Sequence, residues 1–318
     1  MDQRRGAVDL TTAPGGAASP LEQVLLAERA HYVGLAYRIT GSRLDAEDVV
    51  QEAWERARRT DASPVDRPAA WLTTVVSRLA LDHLRAAQRR RETYVGPWLP
   101  EPVLTAHGAA AAPSGTDDPA HLAEMAESLT FGFLRVLEAL SPVERVVFVL
   151  ADVFGVPFPE IARAVGRTPD ACRQVATRAR SRVGNADRRH HAPGDAARIA
   201  DDLVDALARG DAEQVLSLLA PDVELVTDGG AAVQAARRPV VGRDRVARLL
   251  LSGWRRFTRP DQWYEHVEVN GDAGILVHAA GEPAYAVAFT FDGGRLQRIY
   301  AVANPAKLDA LRLGGGIA

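Results

Sequence analysis

Residues 141–183 read SPVERVVFVLADVFGVPFPEIARAVGRTPDACRQVATRARSRV, and this stretch decides the fold of the middle of the chain. Ser141-Pro142-Val143-Glu144 places an N-cap hydroxyl before a proline at the first helical position, with a glutamate three residues after the cap. That is a capping box, and it predicts a helix carrying Val146, Val147, Val149 and Leu150. Breaks are expected at Gly155, Pro157 and Pro159, with a short helix over 160–165 ending at Gly166. Thr168-Pro169 repeats the cap-and-proline start for a helix over 169–184. Its Cys172, Val175, Ala176, Ala179 and Val183 recur at helical spacing as a buried stripe.

The other face of that last helix carries Arg173, Gln174, Thr177, Arg178, Arg180 and Ser181, long or hydroxylic donors suited to phosphates and base edges. Thr168, Asp170, Ala171, Arg173 and Gln174 occupy its start, where a recognition helix meets bases. Residues 163–191 hold eight arginines against two aspartates, although the whole chain has a net charge of −3. Basic charge concentrated locally predicts a helix-turn-helix that reads duplex DNA; the alternative is a solvated basic face on an ordinary helical hairpin.

Composition sets outer limits. The 318 residues, 47% hydrophobic and 25% charged, suit a soluble chain of two or three domains. One cysteine, Cys172, excludes an internal disulfide framework, and its place on the apolar stripe makes it a packing residue. No apolar run reaches the ~18 residues of a membrane span and no export pattern opens the chain, so a cytoplasmic protein is expected. The eight histidines lack zinc-like spacing; His190-His191 reads as part of a basic helix tail, and no metal or cofactor is expected.

Five segments follow from pattern and punctuation: a disordered tail over 1–20, a helical block over 21–92, a linker over 93–121, the helix-turn-helix block over 122–190 and an α+β block over 195–318. The linker TYVGPWLPEPVLTAHGAAAAPSGTDDPAH has no period and reads as extended or mobile. Its segment Trp98-Leu99-Pro100-Glu101-Pro102 is the exception, because a tryptophan in a stiff proline frame loses little entropy on docking. In the first block Ser42-Arg43-Leu44-Asp45 opens a helix whose core face is Ala46, Val49, Val50, Ala53, Trp54 and Ala57, while Asp48, Gln51, Glu52 and Glu55 form an acidic stripe. Pro68 begins a long helix with Trp71 and Arg78 that ends in Arg85, Arg89, Arg90 and Arg91. The 60–67 loop before it holds Asp61, Ser63 and Asp66.

Leu35-Ala36-Tyr37-Arg38, the run from Asp45 through Gln51-Glu52 to Trp54, Trp71-Leu72-Thr73-Thr74, Leu81-Asp82-His83-Leu84-Arg85 and the helix-turn-helix together resemble the extracytoplasmic-function sigma factors of bacterial RNA polymerase. The resemblance implies that the first block is region 2 and the second region 4. Asp48, Gln51 and Glu52 would then face the clamp helices of the polymerase β′ subunit, and region 4 its β flap. The 60–67 loop and the helix from Pro68, through Asp61, Ser63, Asp66, Trp71, Arg78, Arg85, Arg89 and Arg90, would open the −10 element with a base flipped into the loop. The helix from Pro169, through Thr168, Asp170, Arg173, Gln174, Thr177, Arg178 and Arg180, would read the −35 element.

Beyond 195 the pattern predicts helices over 195–209 and 211–220, a strand over 222–227, an amphipathic helix over 243–257 and strands over 263–269, 275–280, 284–291 and 295–303. These imply an antiparallel sheet in an α+β cone. Gly210-Asp211, Asp228-Gly229-Gly230 and Arg238 to Gly242 resemble the SnoaL-like domain, and the chain looks like the sigma factors in which that domain follows region 4. Their aspartate-triple-glycine motif has Ala231 at its last glycine here. Their Asn-Pro-Asp-Lys-Leu motif stands as Asn304-Pro305-Ala306-Lys307-Leu308. The resemblance implies regulation in cis through these residues and the Trp98–Pro102 segment, without a separate anti-sigma factor. A small apolar ligand in the cone is a further expectation, and the whole fold class is two all-α domains followed by an α+β cone. Two other readings stay open: a ligand-gated helix-turn-helix regulator, and an isomerase drawing on Asp228, Asp244, Tyr264, His266, His278, Tyr285 or Tyr300.

Overall fold

The computed structural model describes residues 18–105, 129–184 and 194–312; the expectations for the tail through residue 17, for 106–121 and for His190-His191 lie outside them. α1 (Pro20–Ala27) starts at a capping box between Ser19 and Glu22, so Pro20 belongs to the first helix and not to the tail. α2 (Arg29–Thr40) is the centre of the first block, buried from Tyr32 to Thr40. α3 (Arg43–Arg59) is capped by Ser42 Oγ on the Asp45 amide, and its buried residues are the six of the expected core face. α4 (Pro68–Arg91) follows.

In the second block, α5 (Phe131–Leu137) precedes the helix-turn-helix, and no sequence signal had marked it. α6 (Pro142–Phe148) begins at the Ser141–Glu144 capping box and widens into one π-helical turn, Val149–Val153. α7 (Phe158–Val165) starts before the expected break at Pro159, which instead lies in its first turn. There an amide has no intrahelical acceptor, so proline removes no bond. α8 (Pro169–Val183) is capped by Thr168 on the Ala171 amide and buries Cys172, Val175, Ala176, Ala179 and Val183.

The two helical blocks, read from sequence as separate domains, share one core. Leu35, Ile39, Leu72 and Leu84 pack in the same cluster as Leu134, Val147, Phe148 and Ile161, with α4 against α6 and α7.

The third block carries α9 (Ala196–Arg209), α10 (Ala212–Leu218) and α11 (Arg243–Phe257) on one side of a seven-stranded sheet, and α12 (Pro305–Arg312) at its end. The strands are β1 (Leu104–Thr105), β2 (Leu219–Asp228), β3 (Val240–Val241), β4 (Trp263–Val269), β5 (Asp272–Ala279), β6 (Glu282–Asp292) and β7 (Arg295–Val302), in the order β1-β4-β5-β6-β7-β2-β3. The sheet is not wholly antiparallel, because β2 lies parallel to β7. A parallel neighbour needs a long crossover, here the whole run from β3 to β6. The linker supplies an edge: β1 pairs with the end of β4.

Strand alternation divides the sheet into two faces. Leu225, Ile275, Val287 and Ile299 face the helices, whereas Val226, Leu276, Ala286 and Tyr300 face outward onto Leu99 and Phe131. The outer face is therefore where the cone meets the linker and α5. Among the described residues no helix is long and apolar enough to cross a membrane.

Asp272 sits at that junction, 6% exposed, with Oδ2 lacking a partner among the described residues. Burial pushes its carboxyl up to about 8; the Phe131 amide opposes this, and the charge of Glu268 adds to it. A folded-state value raised above the usual 3.8 means that stability falls as pH rises between the two. Asp272→Asn is expected to raise the melting temperature above that of the parent at pH 8, with the difference vanishing near pH 4; a difference independent of pH would show that Asp272 is ionised throughout.

Candidate functional site

On α3 the residues opposite the core face remain open. Asp48 and Glu52 are exposed and Gln51 is half-buried. Glu52 approaches His83 Nε2 at 3.4 Å and Arg56 at 4.0 Å, both loose contacts. A stripe of this kind is free to meet a basic protein surface.

The residues expected at the −10 element divide into two groups. In the loop, Asp61 accepts bonds from the Ser63 hydroxyl at 2.6 Å and its amide at 3.0 Å, which hold its carboxyl below the usual range; Asp66 is exposed. Arg85, Arg89 and Arg90 are exposed at the end of α4. Trp71, however, is half-buried against the shared helical core. Arg78 reaches across to α7, donating to the Arg163 carbonyl at 2.6 Å and the Ala164 carbonyl at 3.4 Å. Arg67 pairs with Glu160 at 2.6 Å beside it. Part of α4 is thus covered by the helix-turn-helix.

The face of α8 is open by contrast. Thr168, Asp170, Arg173, Gln174, Thr177, Arg178 and Arg180 are all exposed. Arg173 pairs with Asp170, and Arg180 with Asp152 at 2.7 Å. Such exposed pairs hold little energy and exchange readily for phosphate contacts.

The linker converges on one carboxylate. Asp228, fully buried at the end of β2, accepts the Tyr94 hydroxyl at 2.5 Å and the Gly230 amide at 3.1 Å on Oδ1. Its Oδ2 accepts the Leu99 amide at 2.8 Å and pairs with Lys307 Nζ at 2.6 Å. Lys307 also donates to the Leu99 carbonyl, and Asn304 Nδ2 donates to the Tyr94 hydroxyl at 2.7 Å. Burial pushes the Lys307 ammonium down to about 8 against the opposing pull of Asp228. Burial, and then the bonded carboxylate, push the Tyr94 phenol up. Gly230 is needed at φ 56, where a side chain would also meet Asn304.

Trp98 stacks under the Arg91 guanidinium at 3.3 Å and lies 4.0 Å from Lys307 Nζ. Its far edge presses on Gly41, where an added Cβ would sit 2.8 Å from the ring. Leu99, Pro100, Glu101 and Pro102 are buried. Glu101 takes the Arg43 amide at 2.7 Å and the Leu44 amide at 3.2 Å, a second anionic cap on α3 beside Ser42. Pro305 is exposed and Leu308 buried; Ala231 and Ala306, the two motif departures, both face solvent. Gly229 packs where a Cβ would collide with the Val233 carbonyl.

Several residues that the motifs did not point to complete the junction. Asn270, at φ 55, bonds the Val103 backbone through its own amide and Oδ1; its Nδ2 reaches the Tyr37 hydroxyl at 2.5 Å and the Leu129 carbonyl at 3.2 Å. Tyr37 in turn donates to the Glu101 carbonyl. Glu138 joins Arg91, at 2.6 Å, to Arg145; burial raises its carboxyl, but the two guanidiniums hold it below the usual range. Arg135 pairs with Glu224 at 3.0 Å across to the sheet. The asparagine was legible only as a turn residue, and Tyr94 carried no signal.

The candidate catalytic groups of the cone do not form one set. Tyr264 and His266 both bond Asp201 of α9, at 2.8 and 2.9 Å, while His278 bonds Glu265 and stacks on Trp263. Tyr300 is buried against Phe131, Asp244 is exposed in the first turn of α11, Tyr285 is half-buried and Asp228 is fully engaged in the linker. Removing one partner of a buried pair strands the other. Asp228→Ala and Lys307→Met are each expected to cost about 3–5 kcal/mol in urea unfolding, and the double variant clearly less than their sum; additive losses would show that the pair is uncoupled.

Residues 26–90 match Sigma-70 region 2, residues 131–183 match Sigma-70 region 4, and residues 200–301 match the SnoaL-like domain. The ECF RNA polymerase sigma factor SigJ of Mycobacterium tuberculosis (strain ATCC 25618 / H37Rv) is 40% identical over 298 residues, spanning 88% of this chain and 90% of that protein. The probable ECF RNA polymerase sigma factor SigI of strain CDC 1551 / Oshkosh is 33% identical over 302 residues, spanning 93% and 98%. The crystal structure of the M. tuberculosis extracytoplasmic function sigma factor SigJ aligns with a TM-score of 0.67 at 36% identity, covering 92% of this chain and 98% of that one. Open acidic stripe, open helix-turn-helix and a cone clasped to the linker thus sit in a chain that belongs to the extracytoplasmic-function sigma factors, with a SnoaL-like domain fused behind region 4.

Proposed function

We propose that this sigma factor rests in a closed form, with its −10 helix folded against its own helix-turn-helix and its linker held by the SnoaL-like domain. The observation that carries this reading is Arg78, a −10 residue whose guanidinium is spent on the carbonyls of Arg163 and Ala164. Asp48, Gln51 and Glu52 engage the basic β′ clamp helices of core polymerase, and region 4 engages the β flap. The 60–67 loop and α4 open the −10 element, and α8 reads the −35 element. The polymerase supplies the chemistry, so the chain acts in the cytoplasm and is not itself an enzyme.

The cone regulates in cis, in place of a separate anti-sigma factor. Its grip on Leu99 and Tyr94 through Asp228 fixes the linker between the two helical blocks, and Arg135–Glu224 ties region 4 to the sheet. The helix-facing side is packed with Ile275, Phe289, Phe291 and Ile299 against Leu203 and Val246. A small apolar ligand acts there only by displacing part of that core, and contacts on the outer face are the more direct route of control.

The test is transcription in vitro with bacterial core polymerase, on promoter fragments selected from random DNA by the holoenzyme. The full chain is compared with truncations near residues 192 and 303 and with Trp98→Ala and Glu101→Ala. Promoter-specific transcript per bound holoenzyme is expected to rise severalfold when the Asn304–Leu308 clasp is removed, and to change in both point variants. Equal output from the full chain and the 303 truncation would sink regulation in cis.

A further inference from the structure

The SnoaL-like domain carries a charged face that its contacts to the sigma regions do not use. Residues 237–259 contain eight arginines and a single acid, Asp244. On α11, Arg245, Arg248, Ser252, Arg255 and Arg256 are exposed and recur on one side of the helix, continued by Arg259 just beyond it. Arg237 and Arg238, in the loop before α11, are exposed as well.

Their lack of acidic partners sets them apart from the arginines of α9; Arg256 leans on the Phe257 ring. Among the described residues none of Arg237, Arg238, Arg245, Arg248, Arg255, Arg256 and Arg259 has a carboxylate at ion-pair distance; Arg248 and Arg255 bond only carbonyls of their own helix. On neighbouring α9 the arginines are matched, Arg198 with Asp195 and Asp202, and Arg209 with Asp205. Seven unmatched guanidiniums on one small domain repel one another, a cost that a polyanion would relieve.

The chemistry of that anion follows from the rest of the helix. A membrane-surface helix needs its apolar side free to enter the lipid, but Val246, Ala247, Leu250 and Trp254 are committed to the core of the cone. A phosphate backbone asks only for exposed donors. From Arg245 to Arg256 α11 rises about 16 Å, the axial rise of about five phosphates on one strand. The track is also continuous with the −10 helix: the backbone at Ala236 and Arg237 passes beside Gly96, 3.7 Å from where a Cβ would lie, just after the exposed Arg89 and Arg90.

We propose that the exposed arginine face of α11, together with Arg237 and Arg238, grips the phosphate backbone of promoter DNA, making the SnoaL-like domain a DNA-contacting module in its own right. The contact is sequence-independent and adds to the affinity set by α4 and α8. It rests on the assignment of the chain as a sigma factor but not on closure or regulation in cis.

The experiment replaces Arg245 and Arg248, Arg255 and Arg256, or all four by glutamine in the full chain, with Arg198→Gln/Arg209→Gln on α9 as the control matched in charge to each double variant. Binding of a labelled duplex promoter fragment, selected as above, is followed between 50 and 200 mM salt for the free chain and for the holoenzyme. Each phosphate contact contributes about 0.9 to the slope of log affinity against log salt. The quadruple variant is expected to lose about 2–4 from that slope and to bind selected and unrelated duplexes more weakly by the same factor, while the control tracks the parent. A slope equal to the parent's in both forms overturns the proposal. In that case a loss of core-polymerase affinity would assign the face to an acidic protein surface, and a loss of binding to phosphatidylglycerol vesicles would assign it to lipid. Transcription from the parent holoenzyme, measured alongside, reports separately on the sigma assignment.

Discussion

A carboxylate with no solvent contact must have its lone pairs filled by fixed donors, or it does not stay ionised. Asp228 meets that demand with donors from several places in the chain: Tyr94 after α4, Leu99 in the linker, Gly230 in its own turn and Lys307 in the last helix. Each donor positions the segment that bears it. The path of the linker, the placement of the sheet against region 2 and the docking of α12 are therefore not independent features. Trp98 lies between the cations Arg91 and Lys307 because both are already held there by acids, Glu138 and Asp228.

The same constraint explains why the two faces of the sheet differ. The helix-facing side is closed mainly by apolar packing, with Tyr264 and His266 bonding Asp201 of α9 at its edge. The outer face is small in apolar area but rich in directional bonds, from Asn270, Tyr37 and Glu101 to Arg135 and Glu224. Packing of the first kind specifies a fold, whereas bonds of the second kind can be exchanged for water one group at a time. On the proposed reading, a regulatory junction built from the latter is separable without unfolding the cone.

Much of this was legible in the sequence, and the parts that were not share a cause. Local signals read correctly wherever local physics decides. The stripe of α8, the six core residues of α3, the caps at Ser42, Ser141 and Thr168 and the bounds of α11 and β4 all follow from period and capping within a few residues. The parallel pairing of β2 with β7, the addition of β1 to the sheet edge and the common core of the two helical blocks depend on contacts across many residues, which no window contains. At the junction, motif resemblance picked out Asp228, Lys307 and the Trp98–Pro102 segment. Tyr94, Asn270, Glu138 and Asp272 went unread, because a tyrosine, a turn asparagine or a strand acid looks the same whether it faces solvent or a neighbouring domain. Pro159 misled for the opposite reason: proline is both a helix breaker and a good first-turn residue, and the flanking Phe158 and Glu160 do not decide between them.

On the proposed reading, the distribution of open and covered surfaces decides what can drive activation. A ligand shifts a two-state equilibrium only by its difference in affinity for the two states. The Asp48–Glu52 stripe and the face of α8 are exposed in the closed form, so contacts made through them alone are equally available before and after opening. They recruit the chain without activating it. Arg78 is different, because its present partners lie in region 4, and any −10 strand that takes it must release α7 from α4. Opening is therefore coupled to promoter melting and not to polymerase binding as such. The clasp at Asp228 sets how far that coupling must work: the tighter the linker is held, the more of the energy of captured bases is consumed in separating the helical blocks, and the fewer promoters are strong enough to do it.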